Sequence, residues 1–132
     1  MFRSSVLYTI ILFVSILSIL CTPATIQKSE KDSGSNLKMN RGDTLEVVLK
    51  ANPTTGYRWE VASVDSAILK STSTVYKPNK VPRGIVGSGG KSILRFRATK
   101  KGETDLKLIY HRSFEKDVPP VKTFELTVTV KR

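Results

Sequence analysis

At 132 residues, 39% apolar and 25% charged, the chain has room for one domain with its own core and is too apolar for a disordered polyelectrolyte. One cysteine and one histidine argue against a disulfide framework, a zinc site and a Cys-His or Ser-His nucleophile, so no metal, cofactor or catalytic residue is expected and an enzyme is disfavoured. The net charge of +11 is spread along the chain with no basic run longer than Lys100-Lys101, which reads as a solvated surface rather than a nucleic-acid-binding arm.

Arg3 is the only charge ahead of an uncharged apolar run, Val6 to Leu20, which is followed by Thr22-Pro23-Ala24. This is the layout of a secretory signal. The run is about 15 residues, short for a membrane span, so cleavage is favoured over a retained anchor. The cut falls after Cys21 or as late as Ala24, giving a signal peptide over 1–21 and no membrane attachment afterwards. Residues 22–35 are polar and charged, the composition of a mobile linker. The folded domain is expected over 36–131.

A short first strand lies in "NLKM", residues 36–39, and ends at Arg41-Gly42-Asp43. These three spell a cell-adhesion tripeptide, but Gly42-Asp43 is read as a turn before the next strand. Strict alternation then begins. Leu45, Val47 and Leu49 share one face of "TLEVVLK", and Tyr57, Trp59 and Val61 share one face of "YRWEVASV". Trp59 is assigned to the core. "LKSTSTVY", residues 69–76, is β-branched and polar, as an edge strand is. Leu94, Phe96 and Ala98 oppose Arg95 and Arg97; Leu106, Leu108 and Tyr110 form another stripe; Phe124, Leu126, Val128 and Val130 form the last. No helical period appears. The fold class is all-β: an immunoglobulin-like antiparallel β-sandwich of about seven strands.

With consecutive strands antiparallel, the connections at 52–56, 77–91 and 111–122 share one end of the sandwich, and the short turns at 64–67 and 100–103 take the other. The three shared loops are rich in Pro, Gly and aromatics, whereas the two turns are plain, so recognition is expected at the loop end. In the first loop Asn52 caps a turn, Pro53 fixes φ and Gly56 takes φ > 0. The β-branched pair Thr54-Thr55 is stiffer than a turn requires. The second loop carries Gly87, Gly89 and Gly90, where a partner backbone can approach, and the apolar pair Ile85-Val86. The third carries Phe114 between charged residues.

"NPTTGY" at Asn52 to Tyr57, "GSGG" at Gly87 to Gly90, and "HRSFE" around Arg112 and Phe114 resemble, in order and spacing, the chagasin-type inhibitors of papain-like cysteine peptidases. The likeness covers about 36–131. It is strongest over Asn52 to Tyr57 and partial at the third motif, where Ser113 and Phe114 replace the family's proline and tryptophan. The resemblance implies an immunoglobulin-like sandwich whose three loops cover the protease cleft. Its peptidase-binding residues are then Asn52, Pro53, Thr54, Thr55, Gly56 and Tyr57, with Gly87, Ser88, Gly89 and Gly90, and Arg112 with Phe114. Thr54 would sit over the catalytic cysteine. The expected partner is a papain-like cysteine peptidase, bound by a monomer that is secreted or held in an endosomal or lysosome-like compartment. The alternative is an exported adhesion or polyanion-binding module of the same fold, for which Arg95 and Arg97 offer an outward basic face.

Overall fold

The computed structural model describes residues 22–82, 84 and 89–132. The signal segment lies outside them, as do Ile85, Val86, Gly87 and Ser88 of the second loop. Eight strands are present among the described residues: β1 (Thr25–Ser29), β2 (Ser35–Asn40), β3 (Thr44–Ala51), β4 (Arg58–Ser63), β5 (Leu69–Pro78), β6 (Gly90–Ala98), β7 (Gly102–His111) and β8 (Lys122–Lys131). They form two four-stranded sheets, in order β1-β3-β6-β5 and β2-β8-β7-β4. Strands β2 to β8 are the seven that alternation marks out, and β5 is an edge strand as its polar sequence requires.

Alternation in sequence becomes alternation in burial. Leu45, Val47 and Leu49 of β3 face Leu106 and Leu108 of β7 and Phe124, Leu126 and Val128 of β8 across one continuous core, with Leu94 and Phe96 from β6. Each such side chain contributes roughly 1.5–3 kcal/mol by leaving water. Trp59 belongs to this core and donates its indole N–H to the Lys50 carbonyl at 2.9 Å. Val61, expected beside it, is exposed, because β4 is an edge strand and Val61 borders an open hollow with Thr74 and Tyr76 rather than the closed core.

The segment 22–35, expected as a mobile linker, instead carries β1 and a 3-10 turn, Glu30–Asp32. Its sequence is polar because β1 is an edge strand that buries little, while backbone pairing with β3 holds it in place. That pairing is parallel, as is β2 with β8. All other pairs are antiparallel. The 3-10 turn carries the chain from the edge of one sheet to the edge of the other.

The Arg41-Gly42-Asp43 corner between β2 and β3 is structural. Gly42 has φ +95°, and Asp43 is buried, its two carboxylate oxygens accepting Ala24 N–H at 3.0 Å and Asn40 N–H at 2.9 Å. An adhesion receptor has no carboxylate to bind here. Asp43→Ala strands both donors, and the expected cost is about 2 kcal/mol, a fall in melting temperature on the order of 10 °C. An unchanged thermal midpoint would show that the corner holds without this carboxylate.

Candidate functional site

The three loops meet at one end, as the strand directions require. Hydrogen bonds and close approaches tie each to its neighbour.

The first loop is a capped 3-10 turn, Pro53–Thr55, running into Gly56 in the left-handed region at φ +84°. The Asn52 side-chain oxygen accepts from the Thr54 N–H at 3.3 Å and from the Thr54 hydroxyl. The Asn52 carbonyl accepts from the Thr55 hydroxyl at 2.7 Å and from the Thr55 N–H at 3.3 Å, and the Pro53 carbonyl accepts from Gly56 N–H at 3.0 Å. Proline and two β-branched residues leave little freedom to lose, and these bonds remove more of it. Pro53, Thr54 and Thr55 stand exposed at the tip.

Under the turn lies a stack of rings. Tyr57 packs on Tyr110 at 5.4 Å between centroids, Tyr110 meets Trp59 at 5.1 Å, and the Arg112 guanidinium caps Tyr57 at 4.4 Å. The Tyr110 hydroxyl accepts the Asn52 backbone N–H at 2.8 Å. Tyr57 is therefore half-buried support for the first loop rather than part of its outer surface. Tyr110, which alternation places in the core, is also the anchor that joins β7 to the loop.

Arg112 binds the first and third loops together. It donates Nε–H to the Thr55 carbonyl at 2.9 Å and Nη1–H to Glu115 at 2.9 Å, and the bond to Glu115 raises its already high pKa. Glu115 lies outside the motif residues, and its one signal in sequence is the i,i+3 spacing from Arg112 within a loop. Lysine lacks the planar fork that stacks and donates in two directions. Arg112→Lys is expected to cost about 1 kcal/mol of binding, roughly fivefold in inhibition constant, with the melting temperature held. An unaltered inhibition constant would remove Arg112 from this role.

Phe114 is 71% exposed, and its ring edge rests over Gly56: a Cβ at Gly56 would lie 3.1 Å from Phe114 Cε1. Val118 and Val121 of the same loop are exposed too, as is Val81 of the second. In sequence none of the three valines carries a motif, and only their place in these loops marks them. The second loop joins the first at its base, where a Cβ on Gly89, at φ +73°, would come within 3.0 Å of the Ala51 carbonyl oxygen. Gly90 differs from the other expected contacts. It is buried in β6, under the Tyr76 hydroxyl and Pro78 Cα, and serves as a spacer. Gly87 and Ser88 lie outside the described residues.

The remaining candidates are accounted for locally. His111 Nε2 meets Glu60 at 2.9 Å across β4 and β7. Arg95 is paired with Glu46 at 3.1 Å, and the Gln27 amide together with Arg95 holds the Glu46 carboxyl below the usual carboxylate range. The outward basic face proposed for a polyanion thus has one of its two arginines already matched.

Comparison with known proteins gives the family. Residues 38–128 match the Chagasin family peptidase inhibitor I42. Amoebiasin-1 of Entamoeba histolytica is 31% identical over 103 residues, 78% of this chain and 97% of that protein. The crystal structure of the cysteine protease inhibitor EhICP2 from Entamoeba histolytica superposes with a TM-score of 0.74 at 26% identity, over 82% of this chain and 96% of that one. The solution structure of Amebosin does so at 0.68 and 32% identity, over 83% of this chain and all of that one. The chain with the rigid loop at Asn52 to Gly56 belongs to the chagasin family of peptidase inhibitors.

Proposed function

We propose that this chain is a reversible inhibitor of papain-like cysteine peptidases that fills the catalytic cleft with the three loops at one end of the sandwich. It is an inhibitor, not an enzyme. The observation that carries the reading is the internally bonded wedge at Pro53 to Thr55, exposed at its tip and flanked by an exposed Phe114. A related chain, EhICP2, is described as a cysteine protease inhibitor.

The geometry explains how such a loop blocks the site without being cut. A substrate lies extended and offers its scissile carbonyl to the donors that will stabilise the oxyanion. In this loop the Asn52, Pro53 and Thr55 carbonyls accept from Thr55, Gly56 and Arg112 instead. Turned inward, they are withheld from attack. Thr54 would stand over the thiolate as a neutral side chain, which a thiolate–imidazolium pair does not repel. Gly89 brings the second loop close alongside, and Phe114, Val118 and Val121 supply an apolar flank on the third. The chain is taken to act as a monomer, since the loops that carry the wedge and Phe114 converge within one copy. Export to the cell exterior or to an endosomal or lysosome-like compartment belongs to the same proposal, supported by the apolar run from Val6 to Leu20.

Titrating papain with the purified chain tests the reading. Tight, reversible inhibition is expected, with no covalent adduct and an intact Asn52-to-Gly56 loop by mass spectrometry after long incubation. A stoichiometric clip in that loop, or equal inhibition of a serine peptidase, contradicts it.

A further inference from the structure

Lysines crowd the rim of the loop-bearing end. Lys91 on β6 stands directly opposite Lys50 on β3 and Lys77 on β5, and all three are exposed. Directly opposed side chains have Cβ atoms roughly 4.5–5.5 Å apart, and like charges at that distance weaken a sheet. The rows beyond are built differently. The next on that face is Val48, Ile93 and Val75, and the one after it pairs Glu46 with Arg95. The unbalanced row is the one from which the first and second loops depart.

The carboxylates near it are engaged elsewhere: Asp32 and Glu46 border Lys77 and Lys91, and Asp32 accepts the Ser29 N–H at 2.9 Å. Among the described residues none of the three lysines has an ion-pair partner within 4 Å. Glu30 accepts the Lys50 backbone N–H at 2.6 Å, and Glu46, which feels Lys77, is engaged by Gln27 and Arg95. Between the bases of the first and second loops a cleft of about 260 Å³ opens beside the row, lined by Lys50, Lys91, Lys122, Asn52, Asn79 and Gly89 among others and by no carboxylate. Lys122 Nζ lies 5.8 Å from the Tyr110 ring, so a fourth ammonium faces the same space.

We infer that this lysine cluster docks an acidic patch on the target peptidase beside the part of the cleft that the second loop covers, and that it selects peptidases with such a patch. The inference rests on the peptidase-inhibitor reading above. Loops that fill a catalytic cleft bring their rim against the cleft's own rim. A positive row without ion-pair partners of its own matches an acidic neighbour and repels a basic one. Such complementarity acts mainly on the association rate and fades with salt.

The test compares the whole chain with two variants that each lose three charges. One is Lys50→Gln with Lys77→Gln and Lys91→Gln. The other, a control at the opposite end, is Arg97→Gln with Lys100→Gln and Lys101→Gln. Association and dissociation rates are measured at low and high salt against two papain-like peptidases, one of acidic and one of basic isoelectric point. The rim variant should associate roughly three- to tenfold more slowly with the acidic enzyme at low salt, with the gap closing at high salt and dissociation little changed. The control should lose much less, and the basic enzyme should not distinguish wild type from the rim variant in that direction. The melting temperature of the rim variant should not fall, since its substitutions relieve repulsion. Equal slowing by both variants, or none, overturns the inference while leaving inhibition itself intact. Loss of heparin retention with unchanged association rates makes the row a polyanion site and overturns it as well. A wild-type chain that inhibits neither peptidase overturns this inference and the inhibitor reading together.

Discussion

Phe114→Ala is expected to weaken inhibition of papain-like peptidases about thirtyfold, equivalent to ~2 kcal/mol of binding, and to leave the melting temperature nearly unchanged. The reason is the ring's exposure. At 71% most of it is open to solvent, with one edge resting over Gly56, so truncation removes almost no core. A buried phenylalanine behaves in the opposite way, losing ~3–5 kcal/mol of stability on the same change. Phe96 and Phe124, both in the core, provide that contrast within this molecule. Phe114→Trp restores the residue usual in the family and should hold or improve inhibition, since the exposed side of the ring has room to extend. Thermal melts and inhibition constants on the same preparations decide it. A much lower melting temperature with normal inhibition by the folded fraction would make Phe114 structural and remove the third loop from the contact surface.

Gly90→Ala should be costly in stability, by about 3 kcal/mol, because overpacking of a strand pair has no soft way out here. The added Cβ would overlap the Lys77 carbonyl oxygen and sit 2.7 Å from Pro78 Cα, and both obstacles are backbone. Relief requires the β5–β6 pair to open where Pro78 meets Gly90, at the root of the second loop. Inhibition should therefore fall along with stability, and calorimetry should show both in one variant. Gly89 separates spacing from backbone conformation. It has φ +73°, so Gly89→Ala is strained in the left-handed region as well as close to the Ala51 carbonyl. If Gly90→Ala melts like wild type yet inhibits poorly, Gly90 touches the peptidase and is not a spacer.

The sequence by itself determined the sandwich and the end at which its three longer loops meet. A period of two is a local property, and Leu45-Val47-Leu49 or Phe124-Leu126-Val128-Val130 can bury one face only as strands. From seven such strands the sharing of one end by three loops follows by direction alone. The turn chemistry of Asn52, Pro53 and Gly56 is equally local, and the structure places each as that chemistry requires. β1 was not legible, because an edge strand that pairs through its backbone and buries little leaves no apolar period in "TIQKS". Only tertiary structure decided the rest, since it depends on residues far apart in the chain meeting at set distances. Tyr110 could be read as core but not as the acceptor for Asn52 N–H, 58 positions away. Arg112 could be read as a contact but not as the strut from Glu115 to the Thr55 carbonyl. The row of Lys50, Lys91 and Lys77 is invisible in a sequence whose longest basic run is two residues, because strand register, not chain order, sets those charges side by side.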